Sequence, residues 1–142
     1  MNISYNVLES IGNTPIVQLR KVVPPGSARI LAKLEWANPT GSMKDRMAKA
    51  VIERAEADGR LQPGDTVVEY TAGTTGISLA LVCATKGYNL HIIFSDAFSE
   101  EKRRTMQAFG AQIADVPSTT TVLYTVSPLA DNGGNTKPLE GR

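Results

Sequence analysis

An α/β fold, with an open, mostly parallel sheet and flanking helices, is what this sequence predicts on three observations. Short β-prone segments at residues 66–70, 89–95 and 112–116 alternate with helical segments at 77–86 and 99–109. Gly87 and Gly110 stand where those helical segments stop, and glycine ends a helix most readily because it tolerates positive φ. The strand–helix–strand spacing is that of βαβ crossovers, which lay successive strands parallel. A doubly wound sheet is therefore expected. At 142 residues the chain suits one domain with a core of its own. No internal repeat is found.

The elements follow in order. Residues 1–13 hold a helical turn at 7–10, closed by Gly12-Asn13. Residues 14–20 are β-rich and read as a strand, and Pro24-Pro25-Gly26 marks the loop after it. Residues 29–36 alternate apolar and polar side chains, the pattern of a half-buried strand. It closes on Trp36, for which a core or rim position is the usual reading and lining a ligand cleft the sharper one. A helix runs from a cap at Ser42 to Asp58, stopped by Gly59. Gln62-Pro63-Gly64-Asp65 is a turn, and residues 71–76 form a loop rich in glycine and hydroxyls. The helix at 77–86 is almost wholly apolar up to Lys86, so it is covered on most sides. His91, inside a strand, reads as a hydrogen-bonded structural residue before a catalytic one. Ser99 caps the last helix, with Glu100 and Glu101 where the helix dipole favours carboxylates. Lys102-Arg103-Arg104 on that helix reads as a solvated face.

Two stretches carry chemistry. The first is Asn38-Pro39-Thr40-Gly41-Ser42-Met43-Lys44-Asp45-Arg46, a turn feeding a helix. Met43, Met47, Val51 and Ala55 recur at helical spacing, and Lys44, Ala48, Val51 and Ala55 share a face. Lys44 thus heads an apolar stripe in a first turn, where the dipole disfavours a cation. Both features favour the neutral amine, which is a nucleophile toward aldehydes. The alternative is a lysine that snorkels to solvent and pairs with Glu35 or Asp45.

The second stretch is Glu69-Tyr70-Thr71-Ala72-Gly73-Thr74-Thr75-Gly76, which follows a strand and opens a helix. Unpaired N–H groups and hydroxyls there suit an anion, and open α/β sheets bind ligands at such strand ends. The alternative is a glycine-rich turn that binds nothing.

Composition excludes several classes. The formal net charge is +1, so neither nucleic acid nor an anionic membrane is an expected partner. No segment reads as a signal peptide or a membrane span. The single cysteine, Cys83, rules out an internal disulfide, fits a reducing, cytoplasmic setting, and reads as a buried small hydrophobe. One histidine and one cysteine, far apart, leave no metal site.

The Ile11-Gly12-Asn13-Thr14-Pro15 motif, together with the Lys44 motif, resembles the pyridoxal-phosphate-dependent cysteine synthase and cystathionine β-synthase family, in its cysteine synthase branch. The resemblance implies the smaller N-terminal domain of fold type II enzymes over residues 1–118. It implies pyridoxal phosphate as cofactor, with Lys44 as the catalytic residue that carries it covalently. It implies that the second stretch holds an amino-acid substrate by its carboxylate through Thr71, Ala72, Gly73 and Thr75, with Thr74 near the cofactor's phenolic oxygen. Where the family has serine and asparagine, this chain has Ala72 and Thr74. The implied reaction is β-replacement or β-elimination on an O-activated serine, in enzymes that are commonly dimers.

The likeness fades after Ser118. Residues 119–142 are expected to be a divergent tail, β-prone at 119–126, in which Gly133-Gly134-Asn135-Thr136 faintly echoes the family's phosphate loop. Two rival readings follow. One is a truncated, non-catalytic fragment that binds a full-length homologue. The other is a flavodoxin-like nucleotide or flavin module that uses residues 71–76 as its phosphate loop.

Overall fold

The computed structural model describes residues 3–119. The tail expected at 119–142, with its β-prone stretch and its Gly133-Gly134 echo, lies outside the described residues except for Thr119. A 3-10 turn at Val7–Ser10 comes first, capped by Asn6, whose side chain accepts from the Leu8 N–H. Strands β1 (Ile16–Gln18) and β2 (Leu31–Lys33) form an antiparallel pair, with Ile16 opposite Lys33 and Gln18 opposite Leu31. A second 3-10 turn, Glu35–Ala37, leads to helix α1 (Lys44–Ala57). Strand β3 (Thr66–Tyr70), helix α2 (Thr74–Lys86), strand β4 (Asn89–Ser95), helix α3 (Glu100–Ala108) and strand β5 (Gln112–Val116) complete the order.

Strands β3, β4 and β5 pair in parallel in sequence order, with Val68 opposite His91 and His91 opposite Gln112. The βαβ reading is met, and so is the α/β class. Among the described residues the order β3-β4-β5 runs one way, so the reversal of strand order that goes with a doubly wound sheet is not seen there. Leu90, Ile92 and Phe94 bury one face of β4 in a core with Leu79, Val82 and Cys83 of α2 and Met106 of α3. The opposite face carries Val68 and His91, both exposed. Among the described residues the exposed His91 side chain has no hydrogen bond of the kind expected for a structural histidine.

Two further expectations are corrected. The segment at 29–36 is a three-residue strand with its outer residues exposed, and Trp36 is 70% exposed in the turn beyond it. On α1, Met43, Met47 and Val51 face outward, while Asp45, Ala48 and Ile52 are buried. Small apolar residues sit on several rows of this helix, so periodicity alone cannot choose the inward row. Among the described residues no helix is long and apolar enough to cross a membrane, and no cluster of metal-ligating side chains occurs.

Candidate functional site

The two motifs at the front of the chain meet in one polar network. Arg46 donates from Nε and Nη2 to the two carboxylate oxygens of Glu35, at 2.9 and 3.0 Å. Its Nη2 also reaches Thr14 Oγ1 at 3.1 Å, and Thr14 donates to Glu35 at 2.6 Å. Asn38 donates to Glu35 and accepts from the Gly12 N–H at 3.0 Å. Hydrogen bonds from Arg46 first, then Thr14, hold the Glu35 carboxyl at about 2, well below its usual 4.5. Most motif residues therefore build a scaffold.

Lys44 is different. It is half-buried in the first turn of α1, and its backbone N–H donates to Ser42 Oγ at 3.1 Å. The cap position itself is taken by Met43, whose side chain makes no capping bond, so Ser42 stands one residue ahead of the place expected for it. Glu35 is taken by Arg46, and Asp45 by Thr40 and Ser78. Pairing of Lys44 with either carboxylate is thus overturned. Among the described residues the Lys44 amine has no hydrogen-bond or ion-pair partner. Lys33, Lys49 and Lys86, by contrast, bond to the Thr14 carbonyl, the Leu8 carbonyl and Glu56.

The second stretch begins where β3 ends. Helix α2 starts at Thr74, three residues ahead of the sequence reading. The cause is local. Gly73, at φ +150°, turns the chain, and the buried Thr71 hydroxyl accepts from the N–H groups of Gly73 (3.1 Å) and Gly76 (3.3 Å). Thr71 therefore braces the loop from beneath. Ala72 and Thr74 are exposed and Thr75 is half-buried. The first-turn N–H groups of Thr74 and Thr75 lack intrahelical acceptors by helix geometry. Lys102 lies against Gly73, since a Cβ built there would be 2.2 Å from its Cδ and 3.1 Å from its Nζ. Of the basic cluster read as a solvated face, Lys102 thus reaches back to the loop, while Arg103 pairs with Asp115 at 2.6 Å.

Helices α1 and α2 bring the two stretches to one end of the molecule. Asp45 near the start of α1 bonds Ser78 near the start of α2 at 2.6 Å, and Glu56 near the end of α1 bonds Lys86 at the end of α2 at 2.9 Å. The helices therefore run side by side in the same direction. Lys44 and the 71–76 loop stand at the shared N-terminal end, where both dipoles favour an anion. Two open surface depressions, one over α3 beside Phe109 and one beside Val51 and Arg60, include neither stretch. Sequence reasoning missed Asp45 and Ser78. The available signal was a polar residue heading the Asp45, Ala48, Ile52 row.

The family described as pyridoxal-phosphate dependent enzyme matches residues 7–137. The chain is 48% identical over 112 residues to a cysteine synthase of Staphylococcus aureus strain N315, covering 79% of this chain and 36% of that protein. It is 46% identical over 109 residues to cysteine synthase B of Salmonella typhimurium strain LT2, covering 76% and 36%. Among solved structures, O-ureido-L-serine synthase superposes with a TM-score of 0.78 at 41% identity, covering 82% of this chain and 36% of that one. Cysteine synthase from Entamoeba histolytica gives 0.77 at 40%, with the same coverage. The chain thus spans about a third of the length of these relatives. The family match leaves the flavodoxin-like reading without support.

Proposed function

Because the chain belongs to the pyridoxal-phosphate dependent enzyme family, we propose that Lys44 is its cofactor-bearing and proton-transferring residue, in a β-replacement on an O-activated serine. The observation that carries this reading is the unpartnered Lys44 amine, standing at the same end of α1 and α2 as the 71–76 loop. The residues fit the cofactor in part. A primary amine faces no competing carboxylate, and the N–H groups and hydroxyls of Thr74 and Thr75 suit an oxyanion. A second glycine- and threonine-rich loop, besides residues 71–76, that would cradle the phosphate is not found among the described residues.

When bound, the cofactor supplies an electron sink for charge developing at a substrate's α-carbon. The chain's own residues do the rest. Thr74 and Thr75 hold the amino acid's carboxylate at the N-terminus of α2. Thr71, with Gly73, keeps those donors in place from below. Lys44 Nζ takes the α-proton as general base, and the β-substituent is exchanged for sulfide or another thiol. Thr74 has one hydroxyl where the resembled family has an asparagine amide, so it would offer the cofactor a single donor in place of a planar amide. By family analogy the working unit is a cytoplasmic homodimer. The test is the visible spectrum of the chain mixed with pyridoxal phosphate and desalted. A retained yellow absorbance that disappears in Lys44→Ala supports the assignment, and one that persists in the variant refutes it.

A second reading, a fragment that acts by binding a full-length homologue, draws on the outward apolar side chains of Met43, Val51 and Trp36, 58%, 52% and 70% exposed. Contiguous apolar surface is the usual mark of an interface. Sedimentation as a monomer without binding a hydrophobic dye would rule it out.

A further inference from the structure

The residue after Lys44 is a carboxylate with no access to solvent. Asp45 is 0% exposed, and Ser78, its partner on α2, is 0% exposed as well. Removing a carboxylate from water is costly unless a cation or several donors compensate. Among the described residues no lysine or arginine lies within ion-pair distance of Asp45. Its oxygens are filled by neutral donors instead. Oδ2 accepts from the Thr40 N–H at 2.8 Å, and Oδ1 accepts from Thr40 Oγ1 at 2.5 Å and Ser78 Oγ at 2.6 Å. Thr40 Oγ1 and Ser78 Oγ stand 3.4 Å apart, gathered on the same oxygen. The position of Asp45, second residue of α1, adds the favourable end of the helix dipole.

Packing alone does not call for a charge here, because an apolar residue of similar volume is commonly no less stable in such a place. What the carboxylate does that an apolar group cannot is tie three points by direction. Two of its bonds close the turn at residues 40–45 on itself. The third crosses 33 positions of sequence to α2, one turn beyond Thr74. Directly after Lys44 the chain is thereby pinned twice, by Asp45 to Thr40 and α2 and by Arg46 to Glu35, while among the described residues the amine itself is left unengaged.

We infer that Asp45 is a positioning residue that fastens the Lys44 turn to α2 through Thr40 and Ser78, and so fixes the amine relative to the 71–76 loop. The role given to the amine rests on the proposed function; the tie itself does not. Rigid support of this kind matters because a displacement of roughly 1 Å at a reacting group can cost about a hundredfold in rate.

The experiment uses the whole chain and the variants Ser78→Ala and Thr40→Val. The second is nearly isosteric at a half-buried position and serves if the first does not fold; Thr40→Ser restores the hydroxyl. Two readouts are taken. The first is amide hydrogen exchange at Thr40 and Lys44, with Ile92 and Phe94 in β4 as the reference. The second is the distribution of label among lysines after pyridoxal phosphate and borohydride treatment. Both variants should speed exchange at Thr40 and Lys44 by about tenfold or more, the effect of losing one charge-assisted bond, with β4 unchanged. Preference for Lys44 over Lys21 and Lys49 should fall in step, and Thr40→Ser should recover both. Lowered thermal stability with unchanged exchange and unchanged preference would overturn the inference and leave Asp45 as packing alone. If the wild-type chain shows no preference for Lys44, the proposed function fails, and the exchange data still decide whether the tie exists.

Discussion

Replacing Gly76 by alanine should destabilise the protein, although alanine is the better helix former. Gly76 is the third residue of α2, buried against α3 and the loop. A Cβ there would sit 2.4 Å from Met106 Sδ, 2.5 Å from Thr71 Cγ2 and 3.5 Å from Ile92 Cδ1. Comfortable contacts lie at roughly 3.5–4.0 Å, so the new methyl intrudes by about 1 Å on two neighbours. Met106 is 0% exposed and Thr71 6%, so neither has open space behind it. Overpacking of this size costs about 1–3 kcal/mol. Displacing Thr71 also loosens its bonds to Gly73 and Gly76, worth roughly 1 kcal/mol. Helix propensity returns about 1 kcal/mol. The net loss is about 1–3 kcal/mol, a fall in melting temperature of roughly 4–12 °C for a chain of this size. Calorimetry of the single variants and of Gly76→Ala with Met106→Ala measures it. In the double variant the alanine at 76 should cost less than it does alone, because room has been made. A Gly76→Ala protein that melts higher than the wild type would refute the close contact of α2, α3 and the loop.

Two other outcomes follow from the electrostatics and burial. Glu35 has its folded-state value depressed to about 2 from 4.5, so its contribution is fully present above about 4.5. It is lost as pH falls through about 2. Stability should decline between those values, and Glu35→Gln should flatten that part of the urea-midpoint profile; an unchanged slope would remove the Arg46–Glu35 link. Burial pushes the Cys83 thiol up to about 11 and leaves it 1% exposed. Alkylation at pH 8 should therefore proceed no faster than global opening, as mass spectrometry in rising urea would report, and rapid modification of the native chain would contradict the α2 core.

Much of the frame was legible because glycine and proline bracket it. The strands at 66–70, 89–95 and 112–116 fall where turn residues leave them, and Gly59, Gly87 and Gly110 all take positive φ at helix ends. Lys44 stood out for a sound reason, its place at a helix start after a turn. What could not be read lies in contacts between distant positions. The inward row of α1 depends on α2, the early start of α2 depends on a hydroxyl beneath Gly73, and the partner of Asp45 is a serine 33 residues away. The exposure of Trp36 and of the β1–β2 pair runs against their apolar composition. The fate of the Glu35 carboxylate was equally hidden, since Arg46 and Thr14 reach it from either side in sequence.

The most direct test of the central claim is to treat the purified chain with pyridoxal phosphate, reduce it with borohydride, and map the modified peptide by mass spectrometry. Label confined to Lys44 is the predicted result, because the residue is half-buried, its amine has no partner among the described residues, and it heads α1 at the same end as the start of α2. Label spread over exposed lysines such as Lys21, with Lys44 unmodified, would contradict the account.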